Sequence, residues 1–86
     1  GEEFIALLQP ATAPDALATL ERFRQRVASQ VFSRVGHVTL SIGFSQLLNN
    51  DTPNDVIDRA DEALYYAKQN GRNRVESYEQ LVACGA

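Results

Sequence analysis

Val38-Thr39-Leu40-Ser41-Ile42-Gly43-Phe44 alternates apolar residues with small or polar ones over seven positions. Because successive side chains of a strand point to opposite faces of a sheet, this alternation predicts a strand with one apolar face. The other face carries Thr39, Ser41 and Gly43. Their small size leaves room for another element, or a ligand, to approach the sheet closely.

A helix is predicted downstream of this strand. Thr52 is a good N-cap, and Pro53 suits the first helical position, where a missing N–H does no harm. The helix should end at Asn70, with Gly71 in the left-handed conformation that closes many helices. Several alanines in its apolar stripe indicate close packing against a sheet. The stripe consists of Val56, Ile57, Ala60, Ala63, Leu64 and Ala67.

A strand and a helix are predicted upstream. Phe4-Ile5-Ala6-Leu7-Leu8 is a continuous apolar run, which is typical of a strand buried on both faces. Thr12 and Pro14 then form a helix start, as the N-cap and a first-turn residue. The inward stripe of this helix is predicted to contain Leu17, Leu20, Phe23 (or Arg24), Val27 and Val31.

The end of the chain completes the order strand, helix, strand, helix, strand, which places the protein in the α/β (α+β) class. Residues 74–78 are predicted to form a last short strand, and residues 79–86 a loose tail. Of Tyr65 and Tyr66, which are adjacent on the second helix, at most one can face the core.

Composition limits the classes of function. The chain has 86 residues, of which 44% are hydrophobic and 22% charged, as in one small globular domain. Cys84 is the single cysteine, which excludes an internal disulfide and fits a reducing compartment. No apolar run approaches the roughly 20 residues needed to span a bilayer. The net charge of −3 argues against non-specific nucleic-acid binding.

Two acidic residues precede the first strand. Glu2 and Glu3 are adjacent on an extended segment, so their side chains point to opposite faces. One could ligate a divalent cation such as Mg²⁺, for which carboxylates are natural ligands, while the other pairs elsewhere. The alternative, which the local pattern alone favours, is a pair of solvated glutamates.

A cationic cluster surrounds the end of the second helix: Lys68, Arg72 and Arg74. Arg72 leaves from the turn, because Gly71 separates it from the helix. Lys68 and Arg72 could converge on a phosphate, with Arg72 forking onto two oxygens. Alternatively, Lys68 only complements the helix dipole. Asn73 is predicted to bond to the backbone of the turn.

Three stretches occur in an informative order. They are Gly1-Glu2-Glu3-Phe4, Val38-Thr39-Leu40-Ser41-Ile42-Gly43 and residues 60–74. In turn they resemble the GG(D/E)EF signature without its first glycine, the V-T-x-S-I-G strand, and the A-D-x-A-L-Y-x-A-K-x-x-G-R-N-R block of the GGDEF domain. This is the diguanylate cyclase domain of bacterial signalling. The three linked motifs make the resemblance specific, whereas the first alone would be weak.

The resemblance implies a sandwich-like domain related to nucleotide-cyclase and polymerase palm folds. Two such domains face each other as a homodimer, and each holds one GTP. The 3′-OH of each GTP attacks the α-phosphate of the other, which gives cyclic di-GMP and two pyrophosphates.

The resemblance also implies a role for individual residues. Glu2 would bind Mg²⁺ (or Mn²⁺) and help to activate the 3′-OH, and Glu3 would support the site geometry. Gly1 would let the backbone approach the nucleotide. Lys68 and Arg72 would hold the terminal phosphates.

Arg22 aligns with a family arginine at an inhibitory product site, although a solvated helix arginine is an equally good interpretation. The family domain is roughly twice as long as this chain. Its N-terminal half carries a second metal-binding carboxylate and the residues that recognise guanine. We therefore expect residues 1–78 to be the C-terminal portion of a GGDEF domain from an active cyclase, and the 86-residue chain alone to be inactive.

Two alternatives stay open. One is a non-catalytic GGDEF module that binds GTP or cyclic di-GMP. The other is a chain that folds only by pairing strands with a second copy, because open strand edges recruit partners. The expected location is the cytoplasm. The chain could be there as part of a free protein or as the cytoplasmic part of a membrane-anchored parent. We expect no nucleic-acid partner and no direct membrane contact.

Overall fold

The computed structural model describes residues 13–85. The elements in chain order are α1 (Ala13–Ser29), β1 (Ile42–Phe44), α2 (Pro53–Gln69), β2 (Val75–Ser77) and α3 (Tyr78–Ala83). The strand predicted at residues 4–8 and the Thr12 cap lie outside the described residues. No helix within residues 13–85 is both long enough and apolar enough to cross a membrane.

β1 and β2 lie side by side as a parallel pair. Ile42 is opposite Val75, and Phe44 is opposite Ser77. Parallel neighbours need a long crossover connection, and the 17-residue helix α2 supplies it. The α/β class predicted from the sequence is therefore confirmed by a β-α-β unit built from β1, α2 and β2.

Both described strands are shorter than predicted. Residues 38–41, 74 and 78 are outside the ladder, which covers only three positions in each strand. We call residues 70–74 the α2–β2 turn. Its backbone has positive φ at Gly71, Arg72 and Asn73, so β2 becomes extended only after the turn and offers no ladder partner to residues 38–41. The N–H of Asn73 donates instead to Ser41 Oγ, at 3.2 Å.

α2 packs directly on the backbone of β1 at Gly43. A Cβ atom at this position would overlap with the amide N of Leu64 and the carbonyl O of Ala60. On the same helix, Ala63 and Ala67 have 0% of their surface exposed. The close packing predicted from the alanines and the small strand face is confirmed, and the element that approaches Gly43 is a helix.

The start of α2 is a capping box. The N–H of Asp55 donates to Thr52 Oγ1 at 3.2 Å, and the N–H of Thr52 donates to Asp55 Oδ2 at 2.9 Å. These bonds satisfy two backbone donors that a helix start leaves unpaired. The predicted N-cap at Thr52, with Pro53 in the first turn, is confirmed.

α1 turns Arg24 inward and leaves Phe23 outside. The Arg24 side chain is 16% exposed, whereas Phe23 is 54% exposed. Val31 lies beyond the end of α1 and is also exposed, so its predicted place in the apolar stripe is wrong. The chain has already left the helix there, because Phe32 and Gly36 pair across a tight turn with N···O distances of 2.8 and 2.9 Å.

The loose tail predicted for residues 79–86 is wrong where α3 forms. Glu79 ties this helix to the end of β1: its Oε2 accepts from Ser45 Oγ at 2.7 Å, and its Oε1 accepts from the N–H of Gln46 at 3.1 Å. Ser77 caps the helix weakly, accepting from the N–H of Gln80 at 3.4 Å. Tertiary bonds therefore order a segment that is too short to form a stable helix alone.

Arg59 on α2 joins this corner to the loop that precedes the helix. It forms a two-bond pair with Asp51, with Nη1–Oδ1 at 3.2 Å and Nη2–Oδ2 at 2.5 Å, and its Nε donates to Ser45 Oγ at 3.0 Å. The hydrogen bonds from Arg59 lower the pKa of the Asp51 carboxyl, and the N–H of Leu48 contributes in the same direction.

The contact at Gly43 predicts a large effect of one added methyl group. Gly43→Ala should lower the free energy of unfolding by about 3 kcal/mol, the upper end of the range for overpacking, because the neighbours are backbone atoms that cannot rotate away. Urea denaturation followed by circular dichroism measures this change. Gly85→Ala is the matched control, since its Cβ would meet nothing within 4 Å. Its positive φ should cost about 1–2 kcal/mol. Equal losses in the two variants would contradict this packing.

The Asp51–Arg59 pair predicts a loss of stability in acid. The lowered pKa means that this contribution is complete above the ordinary aspartate value of about 3.9 and is lost as pH falls through the folded-state value. Asp51→Asn should therefore destabilise the protein most at about pH 7, and the difference from the wild type should shrink towards about pH 3. Urea midpoints across this range measure it. Asp58→Asn, an exposed carboxylate on α2 without an ion pair to the described residues, is the control. A difference that does not change with pH would count against the pair.

Candidate functional site

The predicted site residues fall into two groups. Gly1, Glu2 and Glu3 lie outside the described residues, so their roles stay predictions. Lys68 and Arg72 lie at the end of α2 and in the α2–β2 turn, which is the half of the site that the structure describes.

The end of α2 is closed by its own backbone. Gly71 has φ +111°, and the N–H of Arg72 donates to the carbonyl of Ala67 at 2.9 Å. Asn70 also donates, through Nδ2, to the carbonyl of Tyr66 at 2.8 Å. This pattern satisfies carbonyls that a helix end otherwise leaves open, and the predicted stop at Asn70 and Gly71 is confirmed.

The backbone stays left-handed for two residues beyond Gly71. Arg72 has φ +59° and Asn73 has φ +49°, although neither is glycine. A non-glycine residue in this region costs on the order of 1–3 kcal/mol and persists only where its surroundings hold it. The α2–β2 turn is therefore a strained segment that must be fixed by contacts with the rest of the fold.

The cations of the turn divide into paired and unpaired ones. Arg74 forms a pair with Glu76, with Nε–Oε1 at 2.8 Å and Nη2–Oε1 at 2.7 Å, and its Nη1 donates to the carbonyl of Asn70 at 2.6 Å. The side chains of Lys68 and Arg72 are exposed and make no hydrogen bond or ion pair with the residues of range 13–85. Arg74 is thus committed to the fold, and Lys68 and Arg72 are the two cations available to an anion.

Asn73 is held by α1, so the prediction that it bonds to the backbone of its own turn is wrong. Arg24 Nη1 donates to Asn73 Oδ1 at 2.7 Å and to the Asn73 carbonyl at 3.4 Å. Glu21 accepts from the same guanidinium through two bonds of 3.0 Å, from Nε and Nη2. These bonds lower the pKa of the Glu21 carboxyl and raise that of Arg24.

Arg24 is the residue that the site analysis from sequence missed. Two signals for it were present: its helical spacing places it on the inward stripe as an alternative to Phe23, and Glu21 lies three residues before it, at the spacing of a helical ion pair. Its partner, Asn73, is 49 residues away in sequence, and no local pattern connects the two.

The electrostatics of the turn favour an anion only because of the unpaired cations. A helix C-terminus carries partial negative charge, so an anion placed there needs positive side chains. Arg72 can donate in a fork to two phosphate oxygens, and Lys68 can act as a point charge. The described half of the predicted site therefore offers two cationic side chains to a phosphate group.

A divalent cation would need ligands from elsewhere in the chain. The structured range 13–85 contains no group of three or more His, Cys, Asp or Glu side chains that could hold a metal ion. The carboxylate of Glu2 has the right donor chemistry for Mg²⁺, so the metal prediction depends on that residue.

Two shallow depressions in the described surface are poor candidates for a phosphate site. The larger, of about 440 Å³, is lined by Asp61, Glu62, Tyr65, Tyr66 and Gln69. Its two carboxylates would repel a phosphate, and none of the predicted site residues lines it. Of the tyrosines, Tyr65 is 66% exposed and Tyr66 is half-buried, as predicted. On α1, Arg22 is exposed and makes no polar contact with the rest of range 13–85, so its role at a product site stays a prediction.

Comparison with known proteins identifies the family. Residues 1–74 match the family model described as diguanylate cyclase, GGDEF domain. Diguanylate cyclase A of Treponema denticola is 43% identical over 79 residues, which cover 87% of this chain and 21% of that protein. Response regulator PleD of Caulobacter vibrioides is 42% identical over 82 residues, which cover 87% of this chain and 18% of that protein. The chain thus spans only a small part of the length of these curated relatives.

Solved structures agree with the sequence match. The crystal structure of the GGDEF domain of DgcB from Caulobacter crescentus, in complex with c-di-GMP, matches with a TM-score of 0.74 and 36% identity over 79% of this chain and 43% of that chain. A structure with the coiled coil and GGDEF domain of the same protein, also with c-di-GMP, gives a TM-score of 0.71 at 36% identity. The resemblance carried by the three sequence motifs is confirmed, and the chain belongs to the GGDEF family of diguanylate cyclase domains.

Proposed function

We propose that this chain supplies the terminal-phosphate site of a diguanylate cyclase domain that condenses two GTP molecules into cyclic di-GMP. The proposal rests on two cations, Lys68 and Arg72, whose side chains have no partner in the described range. The neighbouring arginines, in contrast, are neutralised by carboxylates. Arg74 pairs with Glu76, and Arg24 pairs with Glu21. Within a GGDEF chain, two free cations beside a fixed turn are suited to the β- and γ-phosphates of GTP.

The cations would act on the leaving group. In the proposed reaction, the 3′-oxygen of one GTP forms a bond to the α-phosphorus of the other. The bond from that phosphorus to the bridging oxygen breaks, and the hydroxyl proton is released. Negative charge develops on the departing pyrophosphate, where Lys68 and Arg72 would neutralise it. Positioning and charge neutralisation of this kind supply most of the rate enhancement in phosphoryl-transfer enzymes.

The opening motif would supply the remaining functions of this half-site. Glu2 would ligate Mg²⁺ or Mn²⁺ and help to activate the 3′-OH. A bound divalent ion neutralises phosphate oxygens and orients the reacting groups. Glu3 would support the geometry of the site, and Gly1 would allow the backbone to come close to the nucleotide.

Two domains are needed for the proposed reaction, since each nucleotide is attacked by the other. We propose a homodimer in which each GGDEF domain holds one GTP. We also propose that the 86-residue chain is inactive by itself, because the resemblance assigns guanine recognition and the second metal-binding carboxylate to a segment that precedes the signature.

A non-catalytic role in binding cyclic di-GMP is the second candidate. The observation that favours it is that the two solved structures named above are complexes with c-di-GMP. Arg22 would then contribute to a product-binding site. The acidic pair at Glu2 and Glu3 favours the enzyme, since a binding module has no need of a metal ligand beside its nucleotide.

Replacing Glu2 tests catalysis. In the whole protein to which this sequence belongs, Glu2→Ala should lower cyclic di-GMP synthesis by at least about 100-fold, because metal-assisted charge stabilisation contributes several kcal/mol. Product is measured by mass spectrometry after incubation with GTP and Mg²⁺. Glu62→Ala removes an exposed carboxylate from α2 and should leave synthesis unchanged. Retained synthesis in Glu2→Ala at an unchanged melting temperature would overturn the metal role, and synthesis by the 86-residue chain alone would overturn its proposed inactivity.

Replacing the two free cations tests the phosphate site. The probe is a GTP analogue with a methylene bridge between its α- and β-phosphates. Lys68→Ala and Arg72→Ala should each weaken its binding by about 10- to 100-fold. Isothermal titration calorimetry with Mg²⁺ measures the affinity. Binding of GMP should not change, because GMP lacks the terminal phosphates. Arg34→Ala removes another exposed arginine and is the control for net charge. Equal weakening for GMP and the triphosphate analogue would show that the cations do not hold the terminal phosphates.

A further inference from the structure

Arg24 connects α1 to the turn that carries Arg72. Its guanidinium reaches Asn73 through the 2.7 Å bond from Nη1 to Oδ1 and the longer contact with the Asn73 carbonyl. Within the part of the chain that the structure describes, this is the side-chain hydrogen bond that links α1 to the α2–β2 turn. The connection spans 49 residues of sequence, so it is a tertiary contact and not part of the local turn.

The guanidinium of Arg24 is itself held in a fixed orientation. Glu21 binds its Nε and Nη2 atoms in two parallel bonds of 3.0 Å, which leaves Nη1 directed to Asn73. This fork geometry restricts the rotation of the guanidinium, as a single bond would not. The side chain is only 16% exposed, and its charge is neutralised by Glu21. Arg24 is therefore poorly suited to bind a nucleotide directly but well suited to fix another residue.

Asn73 is clamped from two sides at the point where the turn is strained. Its side chain accepts from Arg24, and its backbone N–H donates to Ser41 Oγ at 3.2 Å. Arg72 and Asn73 are in the left-handed conformation although neither is glycine. The Cβ atom makes this conformation unfavourable, so it requires such external support. Arg72 lies between the Gly71 stop and this clamp, so the clamp sets the course of its backbone.

We infer that Arg24 is a positioning residue of the phosphate site, acting through Asn73 to hold the α2–β2 turn in the conformation that presents Arg72 to the terminal phosphates of the nucleotide. This inference rests on the proposed function, since it assigns Arg72 to those phosphates. Arg24 does not touch the nucleotide. Its effect on binding must therefore pass through Arg72 and disappear when the Arg72 side chain is absent.

A double-mutant cycle in the whole protein tests this dependence. Arg24→Gln should weaken binding of the methylene-bridged GTP analogue by about 5- to 20-fold, less than the loss of a charged hydrogen bond to the ligand itself. In the Arg72→Ala background the same substitution should change the affinity by about twofold or less, because residues that act as one unit are not additive. Isothermal titration calorimetry gives all four affinities. Arg26→Gln, on the same helix and exposed, is the matched control.

A second variant separates positioning from stability. Asn73→Gly removes the side-chain acceptor for Arg24 but also removes the Cβ that makes φ +49° unfavourable. The stability of the fold should therefore be kept, while the turn is held less firmly. We expect this variant to weaken binding of the analogue to the same degree as Arg24→Gln while the melting temperature stays close to that of the wild type. Arg24→Lys should restore part of the affinity lost in Arg24→Gln. If Arg24→Gln does not fold, Asn73→Gly takes its place in the cycle with Arg72→Ala.

The outcomes distinguish this inference from the proposed function. If Arg72→Ala does not weaken binding, the phosphate site is wrong and the positioning role falls with it. If Arg72→Ala weakens binding but the Arg24→Gln effect is equal in both backgrounds, or if Asn73→Gly binds like the wild type, only the positioning role is overturned. If Arg24 only stabilised the fold, Arg24→Gln would lower the melting temperature and the affinity together, and the loss of affinity would not depend on Arg72.

Discussion

The contact between Gly43 and α2 is the constraint on which the described structure depends. The backbone of Leu64 and the carbonyl of Ala60 occupy the space that any side chain at position 43 would need. This fixes the distance of α2 from the sheet, and Ala63 and Ala67 keep that distance small along the next turn of the helix. Because α2 is the crossover between two parallel strands, its position also determines where the chain must turn to enter β2.

The position of that turn decides which charges remain available. Arg74 is drawn into a pair with Glu76 on β2, and Arg24 into a pair with Glu21 on α1. In each pair the carboxylate is close in sequence to its arginine, so these two arginines are neutralised by local contacts. Lys68 and Arg72 receive no such partner within the described range. Which cations remain available to an anion is therefore decided by the distribution of carboxylates as much as by the distribution of cations.

Sequence reasoning succeeded where a feature depends on neighbours in the chain. The capping box at Thr52, the stop at Gly71 and the closely packed alanine face each follow from residues within one or two turns, and all are present. It failed where distant residues decide. The inward turn of Arg24 depends on Asn73, the order of α3 depends on Ser45 and Gln46, and the length of β1 depends on where β2 begins. The phosphate-binding role of Lys68 and Arg72 stays a prediction from their spacing, and the paired state of Arg74 could not be predicted without the fold.

The left-handed conformation at Arg72 shows that the turn is not arranged for stability alone. A glycine would adopt φ +59° without a Cβ penalty, whereas an arginine there costs on the order of 1–3 kcal/mol. No side-chain interaction within the described range offsets this cost, since the Arg72 side chain forms no polar contact there. The fold instead adds support from outside the turn, through the Ala67 carbonyl, Ser41 and Arg24. A strained cation with this much surrounding support and no side-chain partner in the described range is the arrangement that the proposed phosphate site requires.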